Sequence, residues 1–478
     1  MAGYIEFKKV KQDYFDGKIT AEQAIKIYRK MNTKCPTESI QFEIAMIEFN
    51  NGKKEKNIEK LKKFSQSANS HISNRAKMAL SSYYVGIKDI ETAKQYISSV
   101  DDHDFSAAKS RQFATIEREA GNYDAARRNY VNSIKKDKDP KNIYGLGFLE
   151  YKYNHIDEAK AYVGILKSMG EYEYALKLKG VIEYGESDYE NAKQTFYDLL
   201  GTIFDGEAKL YLGSIYFDIG NHEKSQEILE SLIGTDYEKD AKIKIARIKD
   251  FEGLHEEALK DYNDNVVDDI DEYAYLDIVR ALCNLGRYEE AKKYVAKCKD
   301  SEHKYAIISH LIYISLYEHN YREGLDIIKE TSYGYGLENN FLWFYLYNKL
   351  YDTSNYKPED LSYAVKQTLK YKSKWAIKHI KEHLSEDDTK DVHTLFNENV
   401  NIESLFFEVR EKIQNTEVLN RNFTDKYIIE TSCIVGCIDG YETNFVTVVT
   451  LPESKDILTM YPVVPTKRFK EMIHSRKR

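Results

Sequence analysis

Apolar and polar positions along most of this chain repeat at two scales, one helical and one much longer. Small residues stand at Ala126, Ala159, Ala192, Ser225, Ala258, Ala291 and Gly324, each 33 positions after the last, and Ala93 extends the series backward. Three residues before each comes a ring or aliphatic group: Tyr123, Ile156, Tyr189, His222, His255, Tyr288 and Tyr321. Four residues after comes a large one: Tyr130, Val163, Phe196, Leu229, Tyr262, Val295 and Ile328. Spacings of three and four place all three on one helix face. Five residues ahead of the small position, Gly121, Gly220, Gly253 and Gly286 predict helix ends in a left-handed cap. A second small column, twelve ahead, holds Ala114, Gly147, Gly180, Gly213 and Ala246. Each unit therefore predicts a helix A, a tight turn and a helix B whose backbones approach closely where the small residues meet.

This pattern resembles the tetratricopeptide repeat family, as in Gly213, His222, Ser225, Leu229 and again in Val279, Tyr288, Ala291, Val295. The chain departs from that family in its 33-residue period, in lacking a proline near the end of helix B, and in Val279 and Ile312 replacing the small residue of helix A. Upstream, Ala24 with Tyr28 marks a first unit and Phe64 a degenerate second. The fold class expected is all-α, a right-handed tetratricopeptide-like solenoid of about ten helical hairpins over residues 1–345. Capping helices are expected over 346–384, and a small α+β domain over 385–478.

The resemblance implies a concave side lined by the A helices. Its groove positions carry over to Phe148, Tyr151, Tyr184, Phe217, Arg247, Arg280 and Tyr313. Aromatic and arginine side chains suit a protein or peptide ligand, although the same rings also serve packing between repeats. The repeat pattern begins near Tyr4, which leaves no room for the DNA-binding head that some family members carry.

From about residue 385 the texture changes. A polar stretch and a short amphipathic helix, NIESLFFEVREKI, precede three runs rich in β-branched and aromatic residues. Asp439–Gly440 is a hairpin signal, and the expectation is a three-stranded antiparallel meander packed on a helix. Cys433 and Cys437, four apart, are expected as buried small side chains on one strand. The closing TKRFKEMIHSRKR is strongly basic. The plainer reading is a solvated tail; the sharper one is a grip on phosphate, such as that of RNA. In layout this region resembles small bacterial ribonuclease toxins, and the residues that could supply such chemistry are Thr459, Tyr461, Lys467, Arg468 and His474.

Composition narrows the function classes. The 478 residues are 42% hydrophobic and 31% charged, as in folded water-exposed chains, and only 6 are proline, as long helical stretches require. A net charge of -8 leaves nucleic acid a role only through the basic C-terminal segment. No apolar run predicts a secretory leader or membrane span, and 5 cysteines form no even framework, so a cytoplasmic location and no membrane partner are expected. His379, Glu382 and His383 match a zinc-peptidase spacing, but the helix around them is basic. Asp261, Asn263, Asn265 and Glu272 match part of a calcium loop, but Val266 stands where glycine is needed. No metal, cofactor or catalytic residue is therefore assigned, and the chain reads as a binding scaffold, with a ribonuclease-type effector as the alternative.

Overall fold

The computed structural model describes residues 2–15, 18–50, 54–235, 237–265, 272–296 and, with short gaps, 310–330 and 396–476. The expected capping helices at 346–384 lie outside the described residues. The chain forms two compact units, Met1–Gly206 and Glu207–Arg478.

The first unit is built of helical hairpins. Ala2–Phe15 pairs with Ala21–Lys34, Glu38–Asn50 with Lys54–Phe64, and Ser70–Gly86 with Ile90–Ser98. Asp102–Glu119 then pairs with Tyr123–Lys136, Pro140–Lys152 with Ile156–Ser168, and Tyr172–Gly185 with Tyr189–Tyr197. The small residues Ala24, Ala93, Ala126, Ala159 and Ala192 are all fully buried. A Cβ on Gly180 would meet Phe196 Cζ at 2.9 Å, so the glycine of helix A makes way for the large residue of helix B. Glu43 is a polar tie in this stack. Its buried carboxylate accepts from Lys11 Nζ at 2.8 Å and from Arg75, which joins three successive A helices.

The 33-residue register is written into the backbone itself. Lys88, Asn154 and Ser187 have φ of 57°, 62° and 60°, and Gly121 has 75°, all in the left-handed region. The second unit continues the column with Gly220, Gly253 and Gly286 at 80°, 82° and 71°, and His319 at 59°. Glycine was legible at four of these positions. At the others a side chain accepts the strain because the hairpin geometry demands it, at about 1 kcal/mol or more each. The next residue often caps helix B: Asp89 accepts from Thr92 N at 3.0 Å and Asn221 from Lys224 N at 3.1 Å.

In the second unit, Asp205–Asp218 pairs with His222–Glu230, Glu238–Phe251 with His255–Asn265, and Glu272–Asn284 with Tyr288–Val295; Tyr321–Glu330 is the last repeat helix described. Ser225 is fully buried and donates its hydroxyl to Gly213 O at 2.6 Å, which lets a polar residue replace alanine in the small column. Where Val279 and Ile312 replace the small residue of helix A, both are fully buried.

Residues 396–476 form the α+β part. Strands β1 (Asn420–Arg421), β2 (Asp425–Glu430), β5 (Phe445–Thr450) and β6 (Ile457–Pro462) make an antiparallel sheet in the order β1-β2-β5-β6. Strands β3 (Gly436–Ile438) and β4 (Tyr441–Thr443) form a separate hairpin. The three expected runs are neighbours, but the meander is interrupted. Asp439 and Gly440, with φ of 50° and 82°, turn the small β3–β4 hairpin instead of joining two main strands. Asn444, between β4 and β5, accepts from Thr431 N at 2.7 Å, and the chain re-enters the main sheet there.

One sheet face packs on the helix Ile402–Lys412 through Leu405, Phe406, Val409, Val446, Val448 and Met460. The basic segment read as a solvated tail is instead the helix Lys467–Arg476. Phe469 on it is fully buried against Ile428, Phe445 and Val463, with Met472 and Ile473 beside it. Spacings of three and four gave that helix an apolar face that the density of Lys and Arg concealed. Cys433 and Cys437 are also corrected: both are exposed, the first in the loop after β2 and the second on β3.

Candidate partner-binding surface

In the first unit, the A helix Pro140–Lys152 presents Tyr144, Phe148 and Tyr151 at spacings of four and three. All three are half-buried. Tyr144 stacks on Phe148 at 6.1 Å and 12°, Phe148 meets Tyr151 at 6.1 Å, and Tyr144 meets Tyr174 of the next A helix at 6.1 Å. Tyr174 in turn contacts Phe204 edge-on at 5.0 Å. Cations sit on this run of rings. The Arg118 guanidinium lies 5.2 Å from the Phe148 centroid, and Lys177 Nζ lies 4.9 Å from Tyr144 and 4.4 Å from Phe204. Tyr184, one repeat after Tyr151, sits 5.9 Å from Tyr189.

Phe148 and Tyr151 are thus brought together, whereas Tyr144, Tyr174, Lys177 and Arg118 were missed. The signal for two of them was available. Tyr144 stands four residues before Phe148, and Lys177 falls one 33-residue period after Tyr144. Burial pushes the Tyr174 hydroxyl above its ordinary pKa, so it stays protonated and can donate.

The second unit fills the equivalent columns with charge. Arg247 donates through Nε and Nη2 to Asp277 at 3.0 and 2.7 Å. Arg280 binds Asp277 at 2.9 Å and donates through Nε to Asp250 at 2.7 Å, which His255 also contacts at 2.7 Å. Burial alone would raise the Asp250 carboxyl, but Arg280 and His255 hold it below its ordinary value. Both arginines are therefore committed to ties between successive repeats. Phe217 is committed too: it stacks on His222 at 5.2 Å and meets Phe251 at 5.7 Å. Tyr313 lies outside the described residues.

The repeat turns of this unit carry the α+β part. Val464 N donates to Gly220 O at 2.8 Å, and Val464 O accepts from His222 N at 2.9 Å. Tyr216 donates its hydroxyl to Asp439 at 2.6 Å. Glu252, 1% exposed, accepts from Thr466 N at 2.8 Å and from Thr466 Oγ1 at 2.6 Å. Around this core, Arg468 pairs with Glu257, and Lys470 with Glu223 at 2.7 Å.

Those pairings bear on the ribonuclease alternative. Arg468 is engaged with a repeat, and His474 lies 3.2 Å from Glu430 on β2. Lys467 is exposed at the start of the last helix, while Thr459 and Tyr461 lie on β6. Burial pushes the Tyr461 hydroxyl up to about 12, with Thr447 beside it acting weakly the other way. No hydrogen bond or ion pair links His474, Lys467 or Arg468 to Tyr461 among the described residues. Of the set-aside motifs, His379–His383 lies outside the described residues. Asp261 pairs with Lys249, and Tyr262 is wholly buried in its repeat column. Among the described residues no helix is long and apolar enough to cross a membrane.

No family model matches this chain, and no curated protein matches it. Among solved structures it is similar to a tetratricopeptide repeat protein from Parabacteroides merdae, with 16% identity, 58% of this chain and 99% of that chain covered, and a TM-score of 0.29. It is also similar to human IFIT1, solved as a dimer with m7Gppp-AAAA, with 13% identity, 65% and 86% covered, and a TM-score of 0.40. The repeat fold stands on the chain's own 33-residue register of small side chains and left-handed turns.

Proposed function

We propose that this chain is a tetratricopeptide-like scaffold that binds a protein or peptide partner on the inner aromatic surface of its first unit. The observation that carries this reading is the run Tyr151, Phe148, Tyr144, Tyr174, Phe204 with Arg118 and Lys177 laid on its rings. Half-buried rings lose little conformational freedom when a ligand covers them, and cations beside them add directional polar contacts. Tyr184 extends the same column by one repeat. Phe217, Arg247 and Arg280 occupy equivalent columns in the second unit, where they act as internal ties.

The α+β part is held on the repeats by Glu252 and Val464 and is positioned by them. The test is affinity capture with the full chain and with a Phe148→Ala, Tyr151→Ala double variant of unchanged helical circular dichroism. A polypeptide retained by the first and lost by the second fits the scaffold reading. Identical retention by both would remove this surface from it.

A further inference from the structure

The face of the main sheet opposite the Ile402–Lys412 helix carries polar groups that its apolar surroundings leave unsatisfied. Register places Lys426, Val449 and Thr459 in one row across β2, β5 and β6, and Ile428, Thr447 and Tyr461 two residues along on the same face. The Thr459 hydroxyl is buried with no hydrogen-bond partner, and the Thr447 hydroxyl has none at full bonding geometry, with only the Tyr461 phenol beside it. Thr447 itself is 0% exposed. The Lys426 ammonium has no carboxylate at ion-pair distance among the described residues; it sits 5.5 Å from the centroid of the Phe251 ring, on the repeat below. Burial, reinforced by the guanidinium of Arg280, pulls its pKa down, which disfavours the charged form at this position.

Orphaned buried hydroxyls and a lysine without a carboxylate partner each cost folding free energy, and finding them together on one face calls for a ligand. That ligand is anionic, because of Lys426, and accepts several hydrogen bonds, because of two threonine hydroxyls and a protonated phenol. It is small, because the hydroxyls are closed to solvent. We propose that this face binds a phosphate group, free or as a monoester, between Lys426, Thr447, Thr459 and Tyr461, and that the bound group braces the α+β part against the repeat at Phe251. A tetrahedral oxyanion suits donors arriving from several directions better than a planar carboxylate does. The proposal is independent of the partner-binding reading, since it uses neither that surface nor that unit.

The experiment is thermal unfolding and titration calorimetry of the full chain with inorganic phosphate, with adenosine monophosphate, and with sodium chloride at matched ionic strength. Phosphate is expected to raise the unfolding midpoint by several degrees over chloride. Lys426→Gln is expected to abolish that shift, and Thr459→Val to weaken phosphate binding tenfold or more. Binding of adenosine monophosphate at least as tight as phosphate supports the proposal and identifies the source as a nucleotide. Equal midpoints in phosphate and chloride, with no calorimetric binding of either phosphate compound, overturn it. So does a Thr459→Val variant that binds phosphate undiminished, a readout that remains if Lys426→Gln does not fold.

Discussion

Glu252 grips Thr466 twice, with one carboxylate oxygen on the backbone N–H at 2.8 Å and the other on the hydroxyl at 2.6 Å. The two residues lie 214 positions apart, and Glu252 is buried. A buried carboxylate needs compensation, and the Thr466 pair together with His222 Nδ1 at 3.3 Å supplies it. Glu252 is thus a clamp between a repeat turn and the last helix.

Removing that clamp has a local signature. Glu252→Ala is expected to cost about 3 kcal/mol. Amide hydrogen exchange is the measurement, because it separates regions. Faster exchange is expected at 464–476 and 220–223, with 140–200 unchanged.

The arginine ties of the second unit give a contrasting pair. Arg280→Ala leaves Asp250, 0% exposed as a side chain, with His255 alone and Asp277, 5% exposed, with Arg247 alone, and is expected to destabilise by about 3 kcal/mol. Adding Asp250→Asn to it removes the less compensated of the two charges and should recover part of that loss in urea unfolding. Full loss in the double variant would show that the guanidinium contributes packing and not charge balance.

The left-handed column offers a gain. Ser187 and Asn154 hold φ near 60°, where glycine carries no Cβ penalty. Ser187→Gly is expected to stabilise the first unit by roughly 1 kcal/mol, and Gly121→Ala, with φ 75° and open space around its Cβ, to destabilise it by a similar amount. Unfolding midpoints moving in the same direction for both would count against a strained turn.

Acid stability follows from the depressed carboxyls. Burial raises Glu43 and Glu150, but Arg75 with Lys11, and Tyr123 with His155 and Arg127, more than reverse this and hold both below the ordinary 4.5. A depressed folded pKa contributes stability that is present above the unfolded value and lost as pH falls through the folded one. The first unit should therefore keep its midpoint from about pH 7 down to about pH 4.5 and lose it progressively below that. Glu150→Gln should flatten this fall.

These tests separate what was legible in the sequence from what was not. The repeat register could be read because every unit reuses the same small, aromatic and glycine positions, and the backbone confirms it at Gly121, Gly220, Gly253 and Gly286. Lys88, Asn154, Ser187 and His319 share that conformation without glycine, so only the period reveals them. The ionic roles of Arg247 and Arg280 were hidden, since their partners stand 30 residues away on a neighbouring repeat. The clamp was out of reach altogether: no local spacing joins Glu252 to Thr466. The basic C-terminal segment misled for a physical reason. Its charges occupy one side of a helix whose other side, at Phe469, is buried.

The aromatic run of the first unit, from Tyr151 through Phe148 and Tyr144 to Tyr174, is the surface on which a partner is proposed to be held. Replacing Tyr151 with a photo-crosslinking phenylalanine analogue in the full chain, and irradiating it in its native cells, tests this most directly. The expected result is a discrete crosslinked polypeptide that is absent when the analogue replaces exposed Lys160 on helix B. The same product from both positions, or none from Tyr151, would contradict it.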